Sequence, residues 1–464
     1  GSVKWQRNLG PAWPAATVSC GDLTPNIGVT STPVFDAATN SVFLLAKTND
    51  GATPQFPHWY MHSLDRVTGA ERAGFPVLIN GAPTNDPTRP FNAMTAMQRP
   101  GLLLMDGVVY AGFASHCDWA PFVGYVVGVS TAGQQTTMWA TESGNSSAEG
   151  GIWQSGGGLV SDGTGQILFA TGNGISPKAG PGKTPPATLA ESVVRLTVGA
   201  DGNLEPTDFF SPANNAKLDQ DDADLGSGAP IAIPDGYGTA AHPRLLVQVG
   251  KDGRFYLLDR DNLGGMGQGA GGTDAALDEA GPYSGVWGRP AFLGTSSGGY
   301  VYTVENKGYL RAHKLVPTST GGVQLAAVGT SVGTFGYTSG APTVASNGTD
   351  ASTALVWVVY VTGPTGAGAE LRAYRALPDS TGKLQQVFSA PLGTAAKFST
   401  AATDNGRVYV GTRDGHVLAF GAPTTSAVGA TNTDLGTAEV GTMGKGTLTV
   451  TATRAVTIST VTAP

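Results

Sequence analysis

Apolar and polar residues alternate along the chain in short runs, such as "SVFLLAKT" at 41–48, "GVVYAGFAS" at 107–115, "QILFATG" at 166–172 and "RLLVQVG" at 244–250. Each run is bounded by Gly, Asp, Asn or Pro. A period of two between turn residues predicts half-buried β-strands, and no helical periodicity longer than two turns occurs, although "DAALDE" could make one turn. The runs recur as a unit: a small residue and Pro, a short strand, a turn, a strand with aromatic residues, a Gly turn, a third strand, and then a polar outer strand. Examples are "STPVFDAATNSVFLLAKT" with "WYMHSLDRVTGAE", "GAPIAIPDGYGTAAHPRLLVQVGKDGRFYLLDRDNLGG", "GRPAFLGTSSGGYVYTVENKGYLRAHKL" and "STAATDNGRVYVGTRDGHVLAFGAP". Seven such units at a period of roughly 55 to 60 residues predict an all-β fold, a seven-bladed β-propeller over residues 1–421.

The seventh unit stops at "HVLAFGAP" one strand short, while "VKWQRNLG" at the N-terminus has no blade of its own. Residues 3–10 are therefore expected to complete blade seven, with Trp5 and Leu9 as anchors, and to remove two exposed sheet edges. From residue 422 to 464 the composition shifts to Thr, Val, Ala and Gly in short alternating runs without aromatic residues. This C-terminal β-rich segment reads as the start of an immunoglobulin-like domain or as an extension packed on blade seven.

Composition narrows the partners. With 34 acidic against 27 basic residues the chain carries a formal charge of −7 and no run of Lys or Arg, which leaves nothing to hold nucleic acid or an anionic membrane surface. No stretch approaches the roughly 18 apolar residues of a membrane span, and Gly1-Ser2 reads as a tag remnant or a mature terminus from which any targeting segment has gone. Few lysines among abundant Thr, Gly and Ser suit a secreted or cell-surface protein. Cys20 and Cys117 could then form a disulfide closing roughly a hundred residues, stabilising by about 4 to 5 kcal/mol on the chain-entropy model, or remain two separate buried thiols.

The units resemble the pyrroloquinoline-quinone (PQQ) repeat propellers, the superfamily of the quinoprotein alcohol dehydrogenases and of many members with other roles. "VVYAGFASHCDWAPFVGYVVG" is similar to the dehydrogenase strand that carries a calcium-binding Glu. "LFATGNG" is similar to the turn that carries a calcium-binding Asn. "VGKDGRFYLLDRDN" resembles the turn whose cation contacts the quinone. Position by position, the resemblance implies Asp118 and Asn173 as metal ligands and Lys251 as the ligand's cation, with calcium as the metal and PQQ as a testable cofactor. A hard cation requires carboxylate and amide oxygens, which these residues supply. The pattern also departs from the dehydrogenases: "PPATLAE" lacks their catalytic Asp, the cysteines are not adjacent, "PFVG" is apolar where they carry an Arg, and there is no Cys-x-x-Cys-His. The reading is a member that is not a dehydrogenase.

Other candidates come from local density of chemistry. His116, Asp118 and Trp119 lie within four residues of one another in "SHCDWAPF", with His116 and Asp118 as an acid–base pair. Trp153 and Gln154 stand in "GGIWQSGGG", where glycines permit close approach to a ring. His58 and His62 share a strand face by their even spacing. "LDQDDADLGSG" offers Asp219, Asp221, Asp222 and Asp224, but Ala223 falls where a calcium loop needs an oxygen. No Gly-x-Ser-x-Gly elbow, Walker sequence or zinc spacing occurs. These features point to a monomer whose central funnel binds a carbohydrate or other polar small molecule. The alternatives are a glycan-cleaving lyase or hydrolase and a PQQ-dependent oxidoreductase.

Overall fold

A computed structural model describes residues 3–144, 149–180, 182–421, 428–430 and 449–452. The chain divides into two units, Gly1–Ala402 with Val410–Leu418, and Thr403–Tyr409 with Ala419–Pro464.

Seven antiparallel sheets follow one another in chain order, as the repeat predicts, and make a seven-bladed β-propeller. Blade one comprises Val34–Asp36, Ser41–Thr48, His58–Asp65 and Val77–Leu78; blade two is built on Ala96–Gln98, Val108–Ser115, Tyr125–Ser130 and Gln135–Ala140. Blade three takes Val160–Ser161, Gln166–Ala170, Val193–Val198 and Leu204–Ser211, and blade four takes Ile231–Ala232, Leu245–Val249, Phe255–Asp259 and Asp278–Ala280. Blade five holds Ala291–Thr295, Gly298–Val304, Tyr309–Pro317 and Val323–Thr334, and blade six holds Thr343–Asn347, Asp350–Tyr360, Ala367–Arg375 and Gln386–Thr394. The seventh sheet has three strands, Ala402–Asp404, Arg407–Gly411 and Val417–Gly421.

Apolar residues on facing sheets fill the spaces between blades. Phe43, Leu45 and Trp59 of blade one pack with Val109, Ala111 and Phe113 of blade two, and Trp139 of blade two meets Phe169 of blade three at 6.1 Å between ring centroids. Tyr302 of blade five is fully buried and donates its hydroxyl to the Ala376 carbonyl, 2.9 Å away, so the burial of a polar atom costs no unpaired group. Two outer edges gain a short parallel strand from the following blade: Gly265–Met266 pairs with Leu204–Ser211, and Lys383–Leu384 pairs with Val323–Thr334.

Residues 3–10 form no strand. The Trp5 indole N–H donates to the Arg66 carbonyl at 2.9 Å, beside Gly69, where a Cβ would meet the ring. The indole thus finds its acceptor at the blade-one turn, and the expected closing strand is not formed. Farther on, Trp13, Ala15, Val18, Cys20 and Ile27 make a small core of their own. Cys20 and Cys117 are joined in a disulfide, with Cα atoms 5.9 Å apart. Of the C-terminal segment, Val428–Ala430 and Val450–Ala452 pair antiparallel, and most of the remainder of residues 422–464 lies outside the described residues. No helix among the described residues is long and apolar enough to cross a membrane.

Candidate functional site

In an antiparallel blade the second strand ends beside the start of the first, so two kinds of connection meet at one end of every sheet. A cavity of about 160 Å³ gathers both kinds. His116 and Asp118 follow the second strand of blade two, and Lys251 follows that of blade four. Arg99, Trp153, Ser227, Trp287, Tyr337 and Phe398 come from the segments around or leading into the first strands of blades two to seven. The Cys20–Cys117 disulfide lies on its wall.

One wall is ionic. Lys251 Nζ bonds Asp222 Oδ1 at 2.6 Å and also pairs with Asp224. Asn173 donates its side-chain amide to the same Asp222 oxygen at 3.1 Å and its backbone N–H to Asp224 Oδ1 at 2.9 Å. Asp219 accepts the Gly174 N–H at 2.8 Å. The acidic "DQDDAD" loop is therefore a clasp: its carboxylates hold the Asn173–Gly174 turn of blade three and the lysine of blade four. Burial works against the Lys251 ammonium, but Asp224 and Asp222 outweigh it and hold its pKa above the usual lysine value.

Asp118 reaches this wall at its open side. Both Cys117 and Asp118 have positive φ, 47° and 49°, an unusual conformation for residues with a Cβ that places the carboxyl at the cavity mouth. Although Asp118 keeps solvent access, the surrounding protein strips part of its hydration, and Asp224 adds repulsion. Lys251 opposes these effects only in part, and the carboxyl is pushed up to about 7. Behind it, burial first and Asp224 second hold Glu191 well above the usual carboxylate range, while its Oε2 accepts the Leu225 N–H at 2.6 Å. Burial also pushes Glu142 up to about 7.

The other wall is aromatic. Trp287 and Tyr337 meet edge to face at 5.6 Å, and Tyr337 meets Phe398 at 5.8 Å. Cations lie over these rings: Arg99 is 5.3 Å from the Phe398 centroid, and Lys397 is 5.4 Å from that of Tyr337. Sequence reasoning missed Trp287, Tyr337 and Phe398. Their signal was the position of Trp153 repeated: each stands just ahead of a blade's first strand, in "VWGRP", "GYTSGAP" and "KFSTAA".

The sequence-selected residues divide accordingly. Asp118, Trp153 and Lys251 meet at the cavity, and Asn173 stands behind Lys251. His116 lines the cavity but is engaged inward, with its Nε2 2.9 Å from Lys47 Nζ. Burial and that lysine push its pKa down to about 3. Lys47 itself is fully buried, bonded to the Met94 carbonyl at 2.8 Å and lying 3.7 Å from the Trp13 ring, and burial drives its pKa well below the lysine value. Gln154 is fully buried and accepts the Ala170 N–H at 2.7 Å, which makes it a strut of blade three. Trp119 is 37% exposed outside the cavity, and His58 pairs with Asp50 at 2.8 Å at the edge of blade one.

Asn173 keeps its side-chain Oδ1 buried and without a hydrogen-bond partner, while Asp222 and Asp224, which accept its N–H groups, carry the Lys251 ammonium. Among the described residues no group of three His, Cys, Asp or Glu side chains is arranged to hold a metal. Lys251, the cation that the resemblance assigns to a quinone, lines the cavity while paired with those two carboxylates.

No family model and no curated protein matches the chain. Among solved structures it is similar to BamB from Moraxella catarrhalis, at 12% identity and a TM-score of 0.49 over 85% of each chain. It is also similar to the quinohemoprotein alcohol dehydrogenase from Comamonas testosteroni, at 15% identity and a TM-score of 0.47, over 83% of this chain and 70% of that one. Saccharomyces cerevisiae Sqt1 follows, at 12% identity and a TM-score of 0.44, over 86% and 83%. The seven consecutive sheets make the chain a seven-bladed β-propeller.

Proposed function

We propose that the central cavity binds a carbohydrate or another small polar molecule. The observation that carries this reading is its mixed lining: the rings of Trp153, Trp287 and Tyr337 share one cavity with the charged groups of Asp118 and Lys251. A sugar ring presents that same combination, an apolar C–H face and a rim of hydroxyls. The disulfide supports an oxidising compartment, hence a secreted or cell-surface protein, acting as a monomer. The test is calorimetric titration with a panel of neutral and acidic monosaccharides. At least one should bind, and Trp287→Ala should weaken it about tenfold, a loss of 1.4 kcal/mol, while Trp119→Ala leaves it unchanged. A panel without binders, or binding indifferent to Trp287, would refute the reading.

A second reading rests on Asp118. A carboxyl that titrates near 7 at the mouth of a cavity is suited to give up a proton to a leaving oxygen, as a glycan-cleaving enzyme requires. Activity on a bound glycan should then fall as pH rises through about 7 and vanish in Asp118→Asn. Binding without turnover at any pH would leave the protein a binding module.

A further inference from the structure

A second depression opens beside the central cavity, between the segment leading into blade one and the segments around blades six and seven. It measures about 890 Å³ against about 160 Å³ for the cavity. Leu23, Met97, Arg99, Lys397 and Phe398 line both, so the two spaces adjoin. Three properties of this groove identify what it can hold.

The first is sign. The groove carries Arg99, Lys397 and Arg413 and no acidic side chain, in a chain whose net charge is −7. This contrasts with the clasp of Asp219, Asp222 and Asp224 on the far side of the cavity. The second is surface chemistry. Thr30, Ser31, Thr32 and Thr400 line the groove; the Thr30 hydroxyl donates to the Gln98 carbonyl, and the buried oxygens of Ser31 and Thr400 have no hydrogen-bond partner in the protein. An unpaired buried hydroxyl costs about 1 to 3 kcal/mol, which a hydroxylated ligand would recover. The third is size: the volume lies within the range of roughly 300 to 1,000 Å³ found for ligand pockets, several times that of the cavity. Phe398 stands at the junction with φ 61°, an outlying conformation for a bulky residue.

We propose that this groove extends the binding site and that its ligand is an acidic oligosaccharide. One ring occupies the cavity against the aromatic wall, a carboxylate meets Arg99 and Lys397 at the junction, and the following rings lie along the hydroxyl-lined groove toward Arg413. This rests on the carbohydrate reading of the cavity. It adds that the ligand is a chain and that it is negatively charged. Sulfate esters present the same anion chemistry as uronates, so the experiment includes both.

The probes are galacturonic acid, its trimer, the neutral galactose trimer and a sulfated disaccharide, titrated calorimetrically against the full chain and against Arg413→Ala. Arg413 lies in the groove and not in the cavity, and it is exposed, so its removal leaves the fold intact. The acidic trimer should bind at least tenfold more tightly than the acidic monomer and the neutral trimer. Arg413→Ala should cost the trimer about five- to tenfold and the monomer nothing. Raising the salt should weaken the acidic trimer and spare neutral sugars, because a charge-based contact is screened. Equal binding of monomer and trimer, with Arg413→Ala silent, overturns the groove and leaves the cavity reading standing. Preference for the neutral trimer overturns the acidic class. Binding of the sulfated sugar alone supports the anion site and overturns the uronate. If no sugar binds, the carbohydrate reading and this extension fall together.

Discussion

On the wall built by blades two to four, charge meets charge: Lys251 is held by Asp222 and Asp224, and the same two carboxylates accept the amides of Asn173. On the wall built by blades five to seven, rings meet rings and cations lie over them, at Trp287, Tyr337 and Phe398 with Lys397 and Arg99. Low dielectric makes unpaired polar groups expensive, so the ionic wall uses most of its hydrogen-bonding capacity on its own loops. The aromatic wall is instead held by ring-to-ring and cation-to-ring contacts. The exception on the ionic side is Asp118, a carboxylate that opens to solvent.

Breaking the covalent anchor of the ionic wall should have the largest effect. Cys117 precedes Asp118 directly, and the bond closes a separation of 97 residues, so the double variant Cys20→Ser, Cys117→Ser should lose about 4 to 5 kcal/mol of unfolding free energy in denaturant titrations. A loss below about 1 kcal/mol would show that the Trp13–Ile27 core holds the N-terminal segment without it. Next comes Asp224→Ala, which should cost about 3 kcal/mol because it strands the Asn173 N–H and half of the Lys251 pairing in a nearly buried place. Asp222→Ala, with a side chain 69% exposed, should cost under about 1 kcal/mol. Equal losses would mean that burial does not separate the two aspartates.

The pH dependence sharpens the role of Asp118. Its pKa rises from 3.8 to about 7 on folding, so between those values the folded state binds more protons than the unfolded one and stability falls as pH rises. Glu142, also pushed up to about 7, acts in the same direction. Asp118→Asn should therefore be more stable than the parent at pH 8, by about 1 kcal/mol after allowing for solvent screening, and no different at pH 4. Thermal melts across pH 4 to 8 would detect this, and an unchanged slope would mean that Asp118 is fully hydrated. The smallest effect should be that of Trp119→Ala. The residue lies outside both walls, and the melt should shift by no more than about 0.5 kcal/mol would produce.

The blades were legible because their information is local. A run such as "SVFLLAKT" is a short apolar stretch buried on both faces and bounded by turn residues, so each sheet follows from a stretch of about fifty residues. Asp118 and Lys251 are singled out by the resemblance of their segments and Trp153 by the glycines around it, and all three line one cavity. The clasp was less legible, because Asp222 and Asp224 act across blades and no spacing rule relates residue 173 to residue 224. Gln154 and His116 are chosen by local composition, which does not tell that Gln154 accepts the Ala170 N–H, with its own Nε2 unpartnered, or that His116 faces Lys47. The N-terminal segment shows the same limit. "VKWQRNLG" has the pattern of a strand, but the acceptor that the Trp5 indole finds belongs to a turn more than sixty residues away, at Arg66.

The parallel strands Gly265–Met266 and Lys383–Leu384 bear on how this ring can be cut and rejoined. Each belongs by sequence to one blade and by pairing to the one before it. A graft of blade four into another propeller would carry away the hem of blade three, leaving Leu204–Ser211 bare while bringing a strand with nothing to pair against. Recombination in this chain is therefore quantised in couples: blades three and four travel together, as do five and six, and crossover points belong between couples.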